Sequence, residues 1–307
     1  MSIVPHNILN VNFFVIVLQM SFYHSLCRKI FRANSYLEFE QRERNTFLPK
    51  LPRVHCSKRL QHKKIFYGGG VLKILIVDDG VGAFATLSKL RYALSAHYVV
   101  HVLNQSFPLC EKTHKQLMML AQRELQFAKE EQCDVVVFSS IALSMATVKT
   151  LSATSETPLF GCEAPILHAS TYTASQVLLA GDAFSARLAR RYPNVISVPL
   201  KDFPHLAESG ASEREIANYV SDNVERYSGT FDCIALGSSS MNLYKHCFFR
   251  VFPNAQIFDS LEGVARKLRK KYKKYVNTEI SVQVLGEQGE SLMEKYNFFI
   301  DEIPQGY

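Results

Sequence analysis

From Leu72 onward, short apolar runs alternate with longer amphipathic stretches. The runs at 73–78, 97–103, 133–138 and 158–161 are mostly continuous in apolar residues rather than alternating with polar ones. That is the pattern of strands covered on both faces. Helical periodicity fills the gaps at 83–95, 113–131 and 142–153. A second series follows, with strands near 176–180, 195–199, 231–236 and 255–258 and helices near 182–192, 212–227 and 240–251. The stretch 261–300 adds a helix, a strand from Ile280 to Leu285 and a further helix. Strands and helices alternating at this spacing call for right-handed crossovers and mainly parallel sheets. The expected fold class is α/β, with two lobes and a cleft between their strand ends.

The segment Lys73 to Leu87, KILIVDDGVGAFATL, organises the first lobe. Its apolar run ends in Asp78 and Asp79 at a Gly-containing turn, where an open parallel sheet presents side chains to a ligand. Gly80 and Gly82 allow a tight turn, which directs Asp78 into the crevice. Asp79 has a plainer alternative, as the cap of the following helix.

Residues 1–71 are different in kind. They hold 11 Lys and Arg against 3 Asp and Glu, whereas 72–307 hold 24 against 25. The net charge of +7 therefore resides in the N-terminal segment, and the neutral body gives no sign of nucleic-acid binding. Ile8 to Phe22 is apolar but interrupted by Asn10, Asn12 and Gln19, too short and polar for a firm membrane span. Three readings of the segment stay open: a weak membrane anchor, a disordered basic tail, or a stretch the cell does not make. In the third, translation starts at Val71, behind the glycine codons of Gly68, Gly69 and Gly70. Lys267 to Lys274, KLRKKYKK, is the basic run of the body and is expected to form a solvated helix face.

The seven cysteines show no CxxC pair or regular spacing, which argues against a zinc site and a disulfide framework and points to the cytoplasm. No phosphate cradle or dinucleotide fingerprint is present, so no cofactor is expected. The KILIVDD opening suggests a response-regulator receiver, but the strand at 133–138 ends in Ser139-Ser140-Ile141, without the carboxylate that phosphorylation needs. His205 and His246 are expected at the surface without functional partners, and Cys133 and Cys233 in the core.

From Leu72 to the C-terminus the sequence resembles the glutamate racemases of the aspartate/glutamate racemase superfamily. KILIVDDGVGAFATL lines up with their opening strand and Asp-Ser-Gly-Val-Gly-Gly turn. Phe107-Pro108-Leu109-Cys110 falls on Phe-Pro-Tyr-Gly, and Val135 to Ala142 falls on the strand and loop ending Cys-Asn-Thr-Ala. Ala235-Leu236-Gly237-Ser238-Ser239-Ser240-Met241 falls on Leu-Gly-Cys-Thr-His-Tyr, and Phe258-Asp259-Ser260 on Ile-Asp-Ser. The resemblance implies lobe one at 72–163 with 261–307 returning to it, and lobe two at 164–260. It also implies two cysteines, one from each lobe, that remove and return the α-proton of glutamate without a cofactor.

Both thiol positions are hydroxyls in this chain. Ser139 and Ser238 stand there, Asp78 keeps the family carboxylate, and Ser240 replaces the family histidine. Changes at the implied ligand-binding positions put Asp79 for Ser, Leu109 for Tyr, Cys110 for Gly, Ser140 for Asn, Ile141 for Thr and Ser239 for Thr, with Pro108 kept. A serine is a far poorer base than a thiol and needs a dedicated activating group. The expectation is a racemase-like pseudoenzyme that binds a small molecule or a partner in the old cleft. The alternative is an active racemase supplying D-glutamate to peptidoglycan. Neither nucleic acid nor metal is expected, and a homodimer is left open.

Overall fold

The computed structural model describes residues 71–275 and 280–287, with 289, 291, 292 and 294. The N-terminal segment and most of the expected closing helix lie outside the described residues. The first sheet is built from β1 (Lys73–Asp78), β2 (His97–Val102), β3 (Val135–Phe138), β4 (Leu159–Gly161) and β9 (Ser281–Leu285). Its order is β4-β3-β1-β2-β9, and every pairing is parallel. The second sheet comprises β5 (Val177–Gly181), β6 (Val195–Pro199), β7 (Cys233–Gly237) and β8 (Gln256–Phe258), ordered β6-β5-β7-β8 and also parallel.

The continuous apolar runs are explained by burial on both faces. Along β1, Ile74 and Ile76 enter a large core that also holds α1 (Gly82–Ala93) and α9 (Leu261–Tyr272). Leu75 and Val77 enter a second core against α2 (His114–Glu130) and α3 (Ile141–Leu151). Alternation in direction thus coexists with a sequence that does not alternate in polarity. Each such aliphatic side chain contributes about 1.5–3 kcal/mol on full burial. The large core continues into the second sheet through Leu178, Ala180, Ile234 and Leu236. All the described residues fall within one compact unit, and the two sheets are its lobes.

The connecting helices are α4 (Ile166–Tyr172), α5 (Ala183–Ala189), α6 (Phe203–Ser209), α7 (Glu213–Val224) and α8 (Lys245–Val251). The seven-residue α4 and α6 are not expected from the sequence, whereas α5 and α8, of the same length, fall within the helices expected at 182–192 and 240–251. The expected helix at 240–251 is a 3₁₀ segment, Ser240–Tyr244, followed by α8. Capping boxes start two of the long helices, Thr113 with Gln116 at α2 and Ser212 with Glu215 at α7. Asp259 of the Phe-Asp-Ser motif accepts from the Leu261 and Glu262 amides at the start of α9 and pairs with Lys245 at 2.8 Å. Along α9, Leu261, Val264, Ala265 and Leu268 are buried and the basic residues face outward. Among the described residues, no helix is long and apolar enough to cross a membrane.

Candidate functional site

β1 and β7, central in their sheets, bring their carboxyl ends to a shared cleft. Its lining includes Asp78, Asp79, Ser140, Ser238, Ser239 and Ser240. Of the catalytic and ligand-binding residues that the resemblance implied, all line it except Ser139 and Leu109. Leu109 belongs to the core under α2, and its contribution to the site is its backbone amide. Ser139 lies one layer deeper, fully buried.

The parts are held by backbone donors and protein carboxylates. The Asp79 amide donates to Asp78 Oδ1 at 2.9 Å, and Asp78 Oδ2 is buried without a hydrogen-bond partner. Burial, reinforced by the negative charge of Asp79, pushes the Asp78 carboxyl well above the usual carboxylate range. Asp79 does not cap α1; its Oδ2 accepts from the Leu109 amide at 2.6 Å and ties the turn to the Phe107–Cys110 loop. Ser139 donates to the Gly82 carbonyl at 3.0 Å and bonds the Thr86 hydroxyl at 2.6 Å. Ser140 caps α3 through the Leu143 amide. In the other lobe the Ser238 and Ser240 hydroxyls are 3.1 Å apart.

Two further acids complete the lining, and sequence reasoning did not find them. Asp182 follows β5 and caps α5 through the Ser185 amide at 2.9 Å. Burial is the main cause of its carboxyl rising to about 7, against the backbone bonds that favour its charge. The only signal in the sequence is a Gly-Asp at a strand end. Glu208, on α6, reaches across the cleft and accepts the Val81 amide at 2.7 Å. It lies directly over Gly80, where a Cβ would overlap the carboxylate, so this glycine makes room for the opposite lobe. Gly82 likewise leaves space for both Asp78 and Ser239. Nothing in the local sequence around Glu208 announces that reach.

The cavity that remains is about 20 Å³, room for about one water molecule. Four carboxylates and several hydroxyls line it, and no Lys, Arg or His does. The site therefore offers proton donors and acceptors, with Asp182 the group whose charge changes near neutrality, and no thiolate. Cys110 lines the cavity, but burial first, then Asp182 and other acids, push its thiol up to about 12. Burial and Asp78 do the same to Cys162. Among the described residues, no group of three or more His, Cys, Asp and Glu is placed to hold a metal.

Of the histidines expected at the surface, His205 is exposed and His246 is half-buried. His246 pairs with Glu213 at 3.0 Å, and His205 stands edge-on to Phe107 at 5.0 Å between ring centroids. Neither lines the cleft. Cys133 and Cys233 are buried, as expected.

No family model matches the chain. A glutamate racemase from Lachnospira eligens is 22% identical over 214 residues, covering 64% of this chain and 81% of that one. The glutamate racemase of Campylobacter jejuni superposes with a TM-score of 0.61 at 17% identity, over 76% of this chain and 100% of that one. The Thermus thermophilus glutamate racemase, in complex with β-chloro-D-alanine, gives 0.62 at 20% identity, over 73% and 92%. The chain has the α/β fold of the glutamate racemases, with parallel sheets in two lobes.

Proposed function

We propose that this chain is a glutamate-racemase-like protein that does not racemise glutamate through a cysteine pair, and whose inter-lobe cleft is a small-molecule site. One observation carries the reading. At the two positions where the resemblance implies thiols, the hydroxyls are engaged with Thr86 and the Gly82 carbonyl on one side and with Ser240 on the other, and none of these partners is a base. Similarity to glutamate racemases, one of them complexed with an amino-acid analogue, supports a small amino-acid-like ligand. A ligand entering the cleft meets carboxylates and hydroxyls, so an ammonium group is accommodated and a second carboxylate is repelled.

A chiral assay for D-glutamate tests the proposal. The chain is expected to form none above background from L-glutamate at neutral pH. Turnover that is abolished by Ser139→Ala or Ser238→Ala would refute it and reveal an activated serine.

Replacing both serines by cysteine is also expected to leave the chain inactive. A thiol at 238 would still share the cleft with Asp79, Glu208 and the apolar Ile141, and one at 139 would lie buried beneath it against Thr86 and the Gly82 carbonyl. Calorimetry with L-glutamate beside the chiral assay separates failure of binding from failure of chemistry. Racemisation by the cysteine pair alone would mean that the binding site is intact and only the thiols are missing.

A further inference from the structure

Beside the acidic cleft lies a second cavity of about 660 Å³, within the size range of small-molecule sites. It is of opposite charge. Lys112, His114, Arg187 and Arg191 line it, against the single acid Glu111. None of these four forms an ion pair among the described residues, so the Lys112, Arg187 and Arg191 cations face the cavity without a protein counter-ion. Arg187 is already oriented: its guanidinium donates to the Cys110 carbonyl at 2.9 Å and stands 5.8 Å from the centre of the Phe184 ring. A guanidinium fixed in this way loses little freedom when its remaining N–H groups take an oxyanion.

The rest of the wall is apolar. Leu117 and Leu188 are buried and Met145 and Phe184 half-buried, and they come from helices of both lobes. Cations facing an apolar floor fit one anionic group on an apolar body, a combination that neither a bare ion nor a neutral oil supplies. We propose that this crevice binds a small amphiphilic anion, a phosphate or carboxylate on an apolar body, held between α2 and α3 on one side and α5 on the other. The sign of the two cavities sorts ligands, since an anion repelled by the cleft is attracted here. This site does not depend on what the cleft does.

Calorimetric titration of the full chain with octyl phosphate, below its micelle concentration, tests the proposal. Inorganic phosphate and octanol supply the two halves separately. The expected result is saturable binding of one octyl phosphate per chain, at least tenfold tighter than either half and weakened by salt. Arg191→Glu and Lys112→Glu, made singly, should each weaken it at least tenfold while leaving the circular dichroism and melting temperature unchanged. Either variant suffices if the other fails to fold. The proposal is overturned by no saturable binding at millimolar octyl phosphate, by equal binding in both folded variants, or by octanol binding as tightly. It is also overturned if only phosphatidylglycerol vesicles bind and the monomeric probe does not, since the site would then belong to a lipid surface.

Discussion

Asp182→Asn is expected to stabilise the protein at pH 8 by on the order of 4 kcal/mol and to leave it unchanged near pH 4. Asp182 is buried, and its carboxyl stands at about 7 in the folded chain, far above its ordinary value of 3.8. Between those limits the unfolded chain has released this proton and the folded chain has kept it. The unfolded state therefore binds fewer protons, and the free energy of unfolding falls as the pH rises. The contribution is fully favourable below about pH 4 and is lost by about pH 7. Asparagine caps a helix as well as aspartate does, so the bond to the Ser185 amide survives the change. Asp78 contributes a slope of the same sign to both proteins, and it cancels in their difference. Urea unfolding of the two chains across pH 4–8 checks this. A difference that does not change with pH would show that Asp182 titrates alike in the folded and unfolded chain.

Glu208→Ala should cost about 1.5–3 kcal/mol, the usual loss when a charged acceptor is taken from a hydrogen bond. The effect has a second signature. The vacated position sits over Gly80 at the start of α1, with the Val81 amide pointing at it. A helix N-terminus with an amide thus exposed favours a carboxylate. Acetate should therefore restore part of the lost stability in Glu208→Ala and have no comparable effect on the parent chain. Urea midpoints in acetate and in chloride at equal ionic strength make the comparison. Equal acetate effects in the two proteins would exclude a specific carboxylate position.

The fold was largely legible because a buried parallel strand has a strong local signature. All nine expected strands occur, and β1 agrees to the residue, Lys73–Asp78. The connecting helices of three turns or more were all legible, whereas of the four seven-residue helices α5 and α8 fell within expected helices and α4 and α6 were missed. The cleft was legible only in outline. Asp78, Ser140 and the serines after β7 sit at strand ends, where topology alone brings side chains together. Glu208 could not be found in this way. It lies 127 residues from Val81 in sequence, and its role comes from the way the two lobes face each other. The depth of Ser139 has a similar origin, since its bonds to Gly82 and Thr86 require α1 to be packed over β3. The basic crevice was invisible because its charges are scattered over residues 112–191 and form no run in the sequence.

Every strand pairing stays within one sheet, whereas the bond from the Val81 amide runs across the cleft to Glu208. The lobes can therefore part at this point without breaking a single ladder bond. In deuterium exchange, the amides of β1 and β7 answer to global unfolding, while the Val81 amide answers to the smaller opening that withdraws Glu208. The Leu109 amide is bonded to Asp79 within its own lobe and supplies a local reference. The ratio of the two exchange rates is a direct gauge of how often the cleft stands open in solution.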